Sequence, residues 1–458
     1  MLDRNLAQDI LARALARGGE YADLFVEARR TAALVFEGDR MESVVDTVDA
    51  GAGLRVLFGG RTAYGYTNDG TPAGLRALAS EVAAAAREGV AGCVAAFAGP
   101  LRGTFAGRHP GRSSLSAKAR LVASANAAAR GRDPRVRQVR ITYRDVAQRL
   151  AIFTSTGDTA DGERVLTTLA ATVVAGEGDR LQTGYVPVGG TVGMELFDAE
   201  PAEAVATRAA DLALVLLDAA PAPSGPMPVV LSSEAGGTMV HEAVGHGLEA
   251  DLAGEGLSVY GDRIGDVVAA PIVSVVDDAT LPGRRGSFAF DDEAVPGART
   301  VLVERGVLRG YLHDRRSAMK LAAAPTGNGR RESYRHAPIP RMTNIFIAPG
   351  DDDPEAIVRS VDRGLFVRRM GGGQVNTVNG DFVFEVVEGY RLEHGRIGEP
   401  VRGATLTGNG PAVLTAIDRV GRDLGFAIGT CGKDGQGVPV ADAQPTLRIP
   451  EIIVGGTA

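Results

Sequence analysis

Short runs of alternating or β-branched residues, separated by glycine and aspartate, restrict the fold of this chain more than any other feature. Five such runs follow one another near the N-terminus: YADLFVEARR, TAALVFEG, MESVVDTV, GLRVLF and RTAYGYT. This pattern is typical of a meander of strands joined by turns. Glycine makes up 61 of the 458 residues, well above its usual share of about 7%, which predicts many turns and close backbone approaches.

Helical periodicity predicts helices on either side of these strands. Apolar residues recur at the spacing of an amphipathic first helix at Leu6, Ile10, Leu11 and Leu15. Capping and composition predict three more helices: from about Leu75 to Arg87, behind Ser116 to Gly131, and from about Pro201 to Leu217. Further strands are expected at VRQVRITYRD, RLAIFTSTG and RVLTTLAATVVAG.

A proline-rich segment at residues 219–228, AAPAPSGPMP, predicts a domain boundary, with a rigid loop inside one domain as the alternative. Beyond it the pattern predicts one helix with the string HEAVGH and many strands, including hairpins that turn at Arg305–Gly306 and His394–Gly395. We expect an α+β protein. Residues 1–220 would form an N-terminal mixed α/β domain with the strand meander and flanking helices, and residues 221–458 a C-terminal β-rich domain.

Charge and cysteine content exclude several classes of protein. The net charge is −7, so no basic surface is offered to nucleic acid or to an anionic membrane. No apolar stretch is long enough to span a bilayer. Only Cys93 and Cys431 occur, too few for a disulfide-stapled secreted fold, and a reducing, cytoplasmic location is expected.

The string HEAVGH is the strongest candidate for chemistry. In the zinc-peptidase pattern H-E-x-x-H, the two histidines lie on one face of a helix. Here His241 and His246 are five residues apart, which separates them by about 140° on a regular α-helix. A π-type bulge would bring both imidazoles together, and Gly245 would make that distortion inexpensive. The alternative is two unrelated histidines on a partly exposed helix, with Glu242 as a solvated charge.

A catalytic zinc site needs a third protein ligand besides the two histidines. The candidates are Glu249 and Asp251 in the same segment, and Cys431 in the glycine-rich stretch GTCGKDGQG. Lys433 near this thiol would favour its ionised form. A lone cysteine is more often a small buried apolar residue, so Cys431 counts as a ligand candidate only together with the histidines.

Other polar residues receive simpler interpretations. Gln374, Asn376, Asn379 and Asp381 are interpreted as turn residues rather than as a cleft lining. Arg341 in PIPRMTN could hold a substrate or an internal carboxylate, and we expect the internal carboxylate. No role is assigned to the remaining histidines, His109, His313, His336 and His394, and the chain has no G-x-S-x-G elbow, P-loop or dinucleotide-binding G-x-G-x-x-G.

Several segments together carry a family resemblance that extends over essentially the whole chain. They are HEAVGHGLEAD, PIPRMTNIFIAPGD, MGGGQVNTVNGDFVFEVVEGYRLEHG, VRGATLTGNGP and GTCGKDGQGVPV, and they resemble the TldD side of the TldD/PmbA metallopeptidases. The resemblance implies one zinc per chain, with His241, His246 and Cys431 as ligands and Glu242 as catalytic base. PmbA-like (TldE) subunits of that family lack the motif, so this sequence resembles the active, motif-bearing member.

The resemblance also implies a substrate class and an assembly. It predicts a zinc-dependent peptidase that hydrolyses flexible or unfolded peptides, including leader peptides, in a dimeric chamber. The partner would be a second copy of the chain or a metal-free PmbA/TldE-like homologue. Two alternatives stay open: a cysteine hydrolase that uses Cys431 with one motif histidine, and a non-catalytic peptide-binding subunit, against which the intact motif argues.

Overall fold

The computed structural model of the chain describes residues 2–86 and 91–456 and has the expected α+β architecture. Its N-terminal half contains α1 (Arg4–Ala14), β1 (Tyr21–Glu37), β2 (Arg40–Phe58), β3 (Arg61–Thr67), α2 (Pro72–Ala85), β4 (Leu101–Gly103), α3 (Leu115–Arg130), β5 (Val136–Thr154), β6 (Thr159–Glu177), β7 (Arg180–Gly190), α4 (Leu196–Ala199) and α5 (Ala202–Asp218).

The C-terminal half is rich in strands. It contains β8 (Ala220–Pro221), β9 (Gly225–Leu231), α6 (Thr238–Val240), α7 (Ala250–Ala253), β10 (Val275–Asp278), β11 (Arg299–Glu304), β12 (Val307–Leu308), α8 (Arg315–Lys320), β13 (Gly329–Arg330), β14 (Ile339–Pro340), β15 (Asn344–Ile347), α9 (Pro354–Arg359), β16 (Arg363–Val375), β17 (Asp381–Glu393), β18 (Arg396–Arg402), β19 (Ala404–Asn409), α10 (Gly410–Ala416), β20 (Arg419–Val420), β21 (Gly425–Lys433), β22 (Gln436–Gln444) and β23 (Leu447–Gly455).

The N-terminal strands form one sheet with the order β3-β2-β1-β5-β6, to which β4 and β7 add by pairing with β6. The predicted meander is present, but its five runs form three long strands rather than five short ones. Gly51 lies between two of the predicted runs, yet it is within the ladder opposite Glu27. A Cβ at Gly51 would lie 2.3 Å from Cε2 of Tyr334. This glycine therefore admits a neighbouring ring and does not form a turn.

The predicted helices are present with small shifts at their ends. The N-cap of α3 is Ser114, whose side chain accepts a hydrogen bond from the Ala117 amide, and not Ser116. The described part of α2 ends at Ala85, while its predicted end at Arg87 lies outside the described residues. Helices α3 and α5 pack against the sheet through a shared apolar cluster, and α1 and α2 cover its other end.

The C-terminal strands form two larger sheets. In one, the order β16-β9-β23-β19-β17 closes on itself because β16 also pairs with β17. The other has the order β12-β11-β10-β15-β22-β21 and ends on the strand that carries Cys431. Both predicted hairpins are confirmed, with left-handed φ values at Arg305 (48°), Gly306 (84°), His394 (52°) and Gly395 (72°), as a two-residue hairpin turn requires.

A buried ion network connects the two halves of the chain. Arg55 of β2 is 1% exposed, and its guanidinium donates to Asp23 of β1 at 2.7 Å and to Glu293 of the C-terminal half at 2.5 Å. Arg331, also from the C-terminal half, donates to Asp23 at 3.0 Å. The network fixes the N-terminal sheet against the C-terminal loops.

The proline-rich segment 219–228 passes through β8 and into β9, which belong to the sheet of the C-terminal half. The division of the chain at residues 220 and 221 stays a prediction. No helix within the described ranges is both long and apolar enough to cross a membrane.

Candidate functional site

The HEAVGH segment departs from α-geometry where the spacing requires it. Helix α6 ends at Val240, residues His241–Gly245 form a π-helical turn, and His246–Leu248 continue as a 3-10 turn. The amide of His246 donates to the carbonyl of His241, a closure over five residues. The predicted bulge is confirmed, and the expected helix is a succession of short turns.

Gly245 has a different role from the one expected. Its φ of −57° and ψ of −52° are ordinary right-handed values, so the bulge does not use the conformational freedom of glycine. A Cβ at this position would lie 2.0 Å from Sδ of Met342. The missing side chain lets the π turn pack directly on the core, which places His246 beside His241.

The π turn and β21 bring the three predicted ligands together. Sγ of Cys431 lies 3.2 Å from Nε2 of His241 and 3.5 Å from Nε2 of His246. The two imidazole rings are nearly perpendicular, with centroids 5.2 Å apart. One ligand atom from each of these residues lies within 4.8 Å of the others. Two imidazole nitrogens and one thiol sulfur are donors that suit zinc.

A carboxylate lies behind each imidazole. Oε2 of Glu249 is 3.0 Å from Nδ1 of His246, and Oδ2 of Asp442 is 3.7 Å from Nδ1 of His241. Nδ1 of His241 is buried and has no hydrogen-bond partner. A carboxylate that is hydrogen-bonded to an imidazole orients the ring and fixes its tautomer, and Glu249 does this for His246. Asp442 makes no such bond to His241 and acts on it through its charge.

Glu249 was the alternative third ligand, but its described contacts are with His246 and Lys433. The Lys433 ammonium lies 2.9 Å from Oε2 of Glu249 and 2.7 Å from Oδ1 of Asp251. Lys433 was expected to favour ionisation of Cys431, and instead it neutralises these two acids. Burial raises the pKa of Asp251 to about 6 despite Lys433.

Electrostatics favour a thiolate at this site. Burial raises the pKa of the Cys431 thiol, but hydrogen bonds with His241 and His246 outweigh burial and lower that pKa to about 5. Burial also disfavours the charge on Glu249, yet His246 and Lys433 lower its pKa to about 2. The arrangement therefore stabilises the ionised form that binds metals.

The three residues open onto a cleft of about 940 Å³ that both halves of the chain line. Glu242 is partly buried and lines this cleft, and its carboxylate makes no hydrogen bond or ion pair with the described residues. Strands β7 and β21 border the cleft and each pairs on one side only within the described ranges. Within that part of the chain their other edges have no strand partner, although Arg285 and Arg341 donate to the Gly429 and Cys431 carbonyls of β21.

The other singled-out residues lie outside this cluster. Arg341 is fully buried and donates to the carbonyls of Gln436 and Cys431, not to a carboxylate as expected. It holds the strand that carries Cys431. Asn376 and Asn379 accept hydrogen bonds from amides two residues further on, which confirms turn chemistry at these two residues. Gln374 and Asp381, also expected in a turn, lie in β16 and at the start of β17. The remaining histidines, His109, His313, His336 and His394, do not join the ligand cluster.

Sequence reasoning missed Asp442 and the arginines near the cleft. Asp442 reaches His241 only because β22 pairs with β21 in the register that places it opposite Ala427. Arg285 lines the cleft from a loop and donates to the carbonyl of Gly429. Neither a single aspartate in a strand nor an RR pair in a loop has a local sequence pattern that would place it at this cleft.

Comparison with family models matches three segments of the chain. Residues 22–86 match the PmbA/TldA metallopeptidase domain 1, residues 108–217 the central domain and residues 224–456 the C-terminal domain. The last segment contains His241, His246 and Cys431.

Relatives and solved structures agree with these matches. A metalloprotease TldD homolog of Haemophilus influenzae is 37% identical over 96% of this chain and 94% of its own. A metalloprotease of Methanothermobacter thermautotrophicus is 35% identical over 96% of both chains. TldE from Thermococcus kodakarensis shares the fold, with a TM-score of 0.78, 16% identity, and 98% and 100% of the two chains covered. The chain therefore belongs to the TldD/PmbA family of metallopeptidases.

Proposed function

We propose that the chain is a zinc-dependent peptidase that holds one zinc through His241, His246 and Cys431. The observation that carries the proposal is the convergence of their ligand atoms within 4.8 Å of one another at the floor of a cleft. Two imidazoles and a thiolate form a typical zinc ligand set, and three protein ligands leave a fourth position for water or substrate.

The chain's own residues would then divide the work of peptide hydrolysis. When bound, zinc lowers the pKa of a water to about 7 and polarises the scissile carbonyl. Glu242 accepts the proton of the attacking water and passes it to the departing amine. Glu249 holds the imidazole of His246 from behind through a hydrogen bond, so the orientation of this ligand is preorganised.

The borders of the cleft suggest the substrate class. An extended peptide can join the free edges of β7 and β21 by main-chain hydrogen bonds. Binding of this kind reads backbone conformation more than side chains. Flexible or unfolded peptides, including leader peptides, would be cleaved, and compact proteins would be spared.

The assembly is part of the proposal. A dimeric chamber would enclose the cleft, formed with a second copy or with a metal-free PmbA/TldE-like homologue. The structural likeness to a protein named TldE supports a family in which both kinds of chain share one fold. We keep a cytoplasmic location as a prediction, in line with two free cysteines.

Replacement of Glu242 tests the mechanism. Glu242→Gln should retain zinc and fold but lose at least about two orders of magnitude in kcat on an unstructured peptide, the scale of general-base removal. Glu234→Gln, in an exposed residue of the same cleft, is the matched control and should stay near wild type. Hydrolysis by Glu242→Gln at the wild-type rate would contradict the assignment.

A cysteine hydrolase is the second candidate, because a thiol 3.2 Å from an imidazole is also the arrangement of a Cys–His nucleophile. Chelation separates the two functions. A zinc peptidase loses activity on chelation and regains it with added zinc, whereas a cysteine hydrolase keeps its activity without metal and loses it on alkylation.

A further inference from the structure

A second cavity lies next to the metal-site cleft, between one face of the N-terminal sheet and the C-terminal loops. Its volume is about 200 Å³. We call it the arginine pocket because six arginines and only two acids line it: Arg29, Arg144, Arg164, Arg285, Arg330 and Arg331, with Asp292 and Glu332. An excess of positive charge in a partly enclosed space attracts anions.

Two of these arginines are already neutralised. Arg164 donates to Oδ1 of Asp292 at 2.6 Å, and Arg331 donates to Oδ1 of Asp23 at 3.0 Å. The second acid of the pocket, Glu332, accepts a hydrogen bond from the Gly437 amide at 2.6 Å. Asp292 is therefore paired with an arginine, whereas Glu332 is held by a backbone amide and its charge acts on Arg144.

The other arginines lack a carboxylate at hydrogen-bond distance. Arg285 donates to the Gly429 carbonyl, and Arg330 donates to the carbonyls of Met342 and Pro439. Arg144 is exposed and makes no side-chain hydrogen bond or ion pair within the described residues. Arg29 donates to the Glu332 carbonyl at 2.5 Å and lies 3.9 Å from the Glu27 carboxylate.

Burial makes this uncompensated charge costly. Burial lowers the pKa of Arg285 to about 10, and the nearby Arg144 acts in the same direction. Burial also lowers the pKa of Arg330 to about 10. A bound anion would relieve the mutual repulsion of these guanidinium groups, since opposite charge nearby favours the charged form.

The arginine pocket adjoins the proposed catalytic cleft. Arg285 and Thr430 line both cavities, and Thr430 directly precedes the proposed ligand Cys431. An extended peptide advances about 3.3 Å per residue. A group only a few residues from the scissile bond can therefore reach the pocket.

We propose that the arginine pocket binds a carboxylate of the peptide substrate, with Arg144 and Arg285 as its ligands. The proposal deepens the peptidase function above and rests on it. A guanidinium matches a carboxylate with two parallel hydrogen bonds. The carboxylate comes from an aspartate or glutamate side chain or from the C-terminus of the peptide, and both sources present the same group.

Matched peptides test this recognition. An unstructured peptide with glutamate near the cleavage site is compared with its glutamine form, each as a free acid and as a C-terminal amide. We expect the wild type to prefer a carboxylate-bearing form by at least about tenfold in kcat/KM, mainly through KM, as for loss of a charge-assisted hydrogen bond. If replacing glutamate by glutamine lowers kcat/KM, the pocket binds the side-chain carboxylate. If amidation of the C-terminus lowers kcat/KM, the pocket binds the terminal carboxylate.

Variants connect the preference to the pocket. Arg144→Gln and Arg285→Gln should each reduce the carboxylate preference several-fold, measured within each variant as the ratio of kcat/KM for the glutamate peptide to kcat/KM for the glutamine peptide. Arg144→Lys should restore part of the preference because it keeps the charge. Arg149→Gln is the control, because Arg149 lies on the same strand with its side chain 80% exposed and outside the pocket.

Two results would overturn the proposal without touching the peptidase function. One is equal cleavage of all four peptides by the wild type, and the other is an unchanged preference in Arg144→Gln and Arg285→Gln. A failure of the peptidase function gives a different result, because the cleavage of all four peptides would then be absent or would not depend on Glu242. Fluorescence anisotropy of labelled peptides with the Glu242→Gln protein measures the dissociation constant of each peptide, so the preference is tested in binding without cleavage.

Discussion

From the contact between Glu249 and His246 we predict how much the substitution Glu249→Gln weakens zinc affinity. Glu249 is fully buried and its Oε2 lies 3.0 Å from Nδ1 of His246. Glu249→Gln preserves the shape of the side chain but removes its charge. Lys433 keeps a carboxylate partner in this variant, because Asp251 lies 2.7 Å from its ammonium. The substitution therefore acts mainly on the orientation and basicity of one ligand.

The expected loss of zinc affinity follows from the energy of the hydrogen bond between Glu249 and His246. A bond to a charged acceptor contributes about 1.5–3 kcal/mol, and a neutral one about 0.5–1.5 kcal/mol. The difference of about 1–2 kcal/mol corresponds to roughly a 5- to 30-fold weaker zinc affinity, at about 1.4 kcal/mol per factor of ten. This agrees with the effect of about 10–100-fold that is typical of carboxylates behind metal-binding histidines.

Competition with a chromophoric chelator measures the zinc dissociation constant of the wild type, Glu249→Gln and Glu355→Gln. The last is the control, since the side chain of Glu355 is 84% exposed in α9. Thermal unfolding of the metal-free proteins checks that each variant folds. A dissociation constant for Glu249→Gln within twofold of the wild-type value, with the fold intact, would refute the argument that this carboxylate supports His246.

Three further outcomes are expected. Gly245→Ala places a Cβ 2.0 Å from Met342 Sδ and should lower the free energy of unfolding by about 1–3 kcal/mol, the usual cost of overpacking. Arg55→Met leaves buried Glu293 without its arginine, while Asp23 keeps Arg331, and should cost about 3–5 kcal/mol in urea unfolding. In metal-free Cys93→Ser protein, iodoacetamide should alkylate Cys431 at a rate that hardly changes between about pH 7 and 8.5, because the thiolate already forms at about pH 5, and zinc should protect it.

Each of these outcomes has a result that would contradict it. A Gly245→Ala protein as stable as the wild type would show that the π turn can move away from Met342. Wild-type stability in Arg55→Met would mean that the buried network contributes nothing to the association of the two halves. An alkylation rate that rises tenfold per pH unit would place the pKa of Cys431 above this range.

The convergence of His241, His246 and Cys431 was predictable because its signals are chemical and local. His241 and His246 share one short segment, and the five-residue spacing itself required a π-type closure, which the backbone shows. Cys431 was added through its donor type and the family resemblance. The reason given for Gly245 was wrong, because its neighbour Met342 comes from a distant part of the chain and no local pattern reports such a contact.

Features that depend on tertiary register were not predictable. The strand runs were located correctly, but β1 and β2 continue through segments expected to turn, and Gly51 stays in the ladder to admit Tyr334. Asp442 reaches His241 only through the pairing of β21 with β22. The arginine pocket assembles residues from strands and loops of both halves. Counting charges along the sequence does not reveal such a cluster, because its arginines come from distant parts of the chain.

Metal content tests the central claim most directly. The chain is loaded with zinc, passed over a desalting column and analysed by mass spectrometry of the metal, alongside Cys431→Ala and Glu242→Gln. The account predicts about one zinc per chain in the wild type and in Glu242→Gln, with three protein ligands present, and a sharp loss in Cys431→Ala. Full zinc occupancy in Cys431→Ala, or none in the wild type, would contradict it.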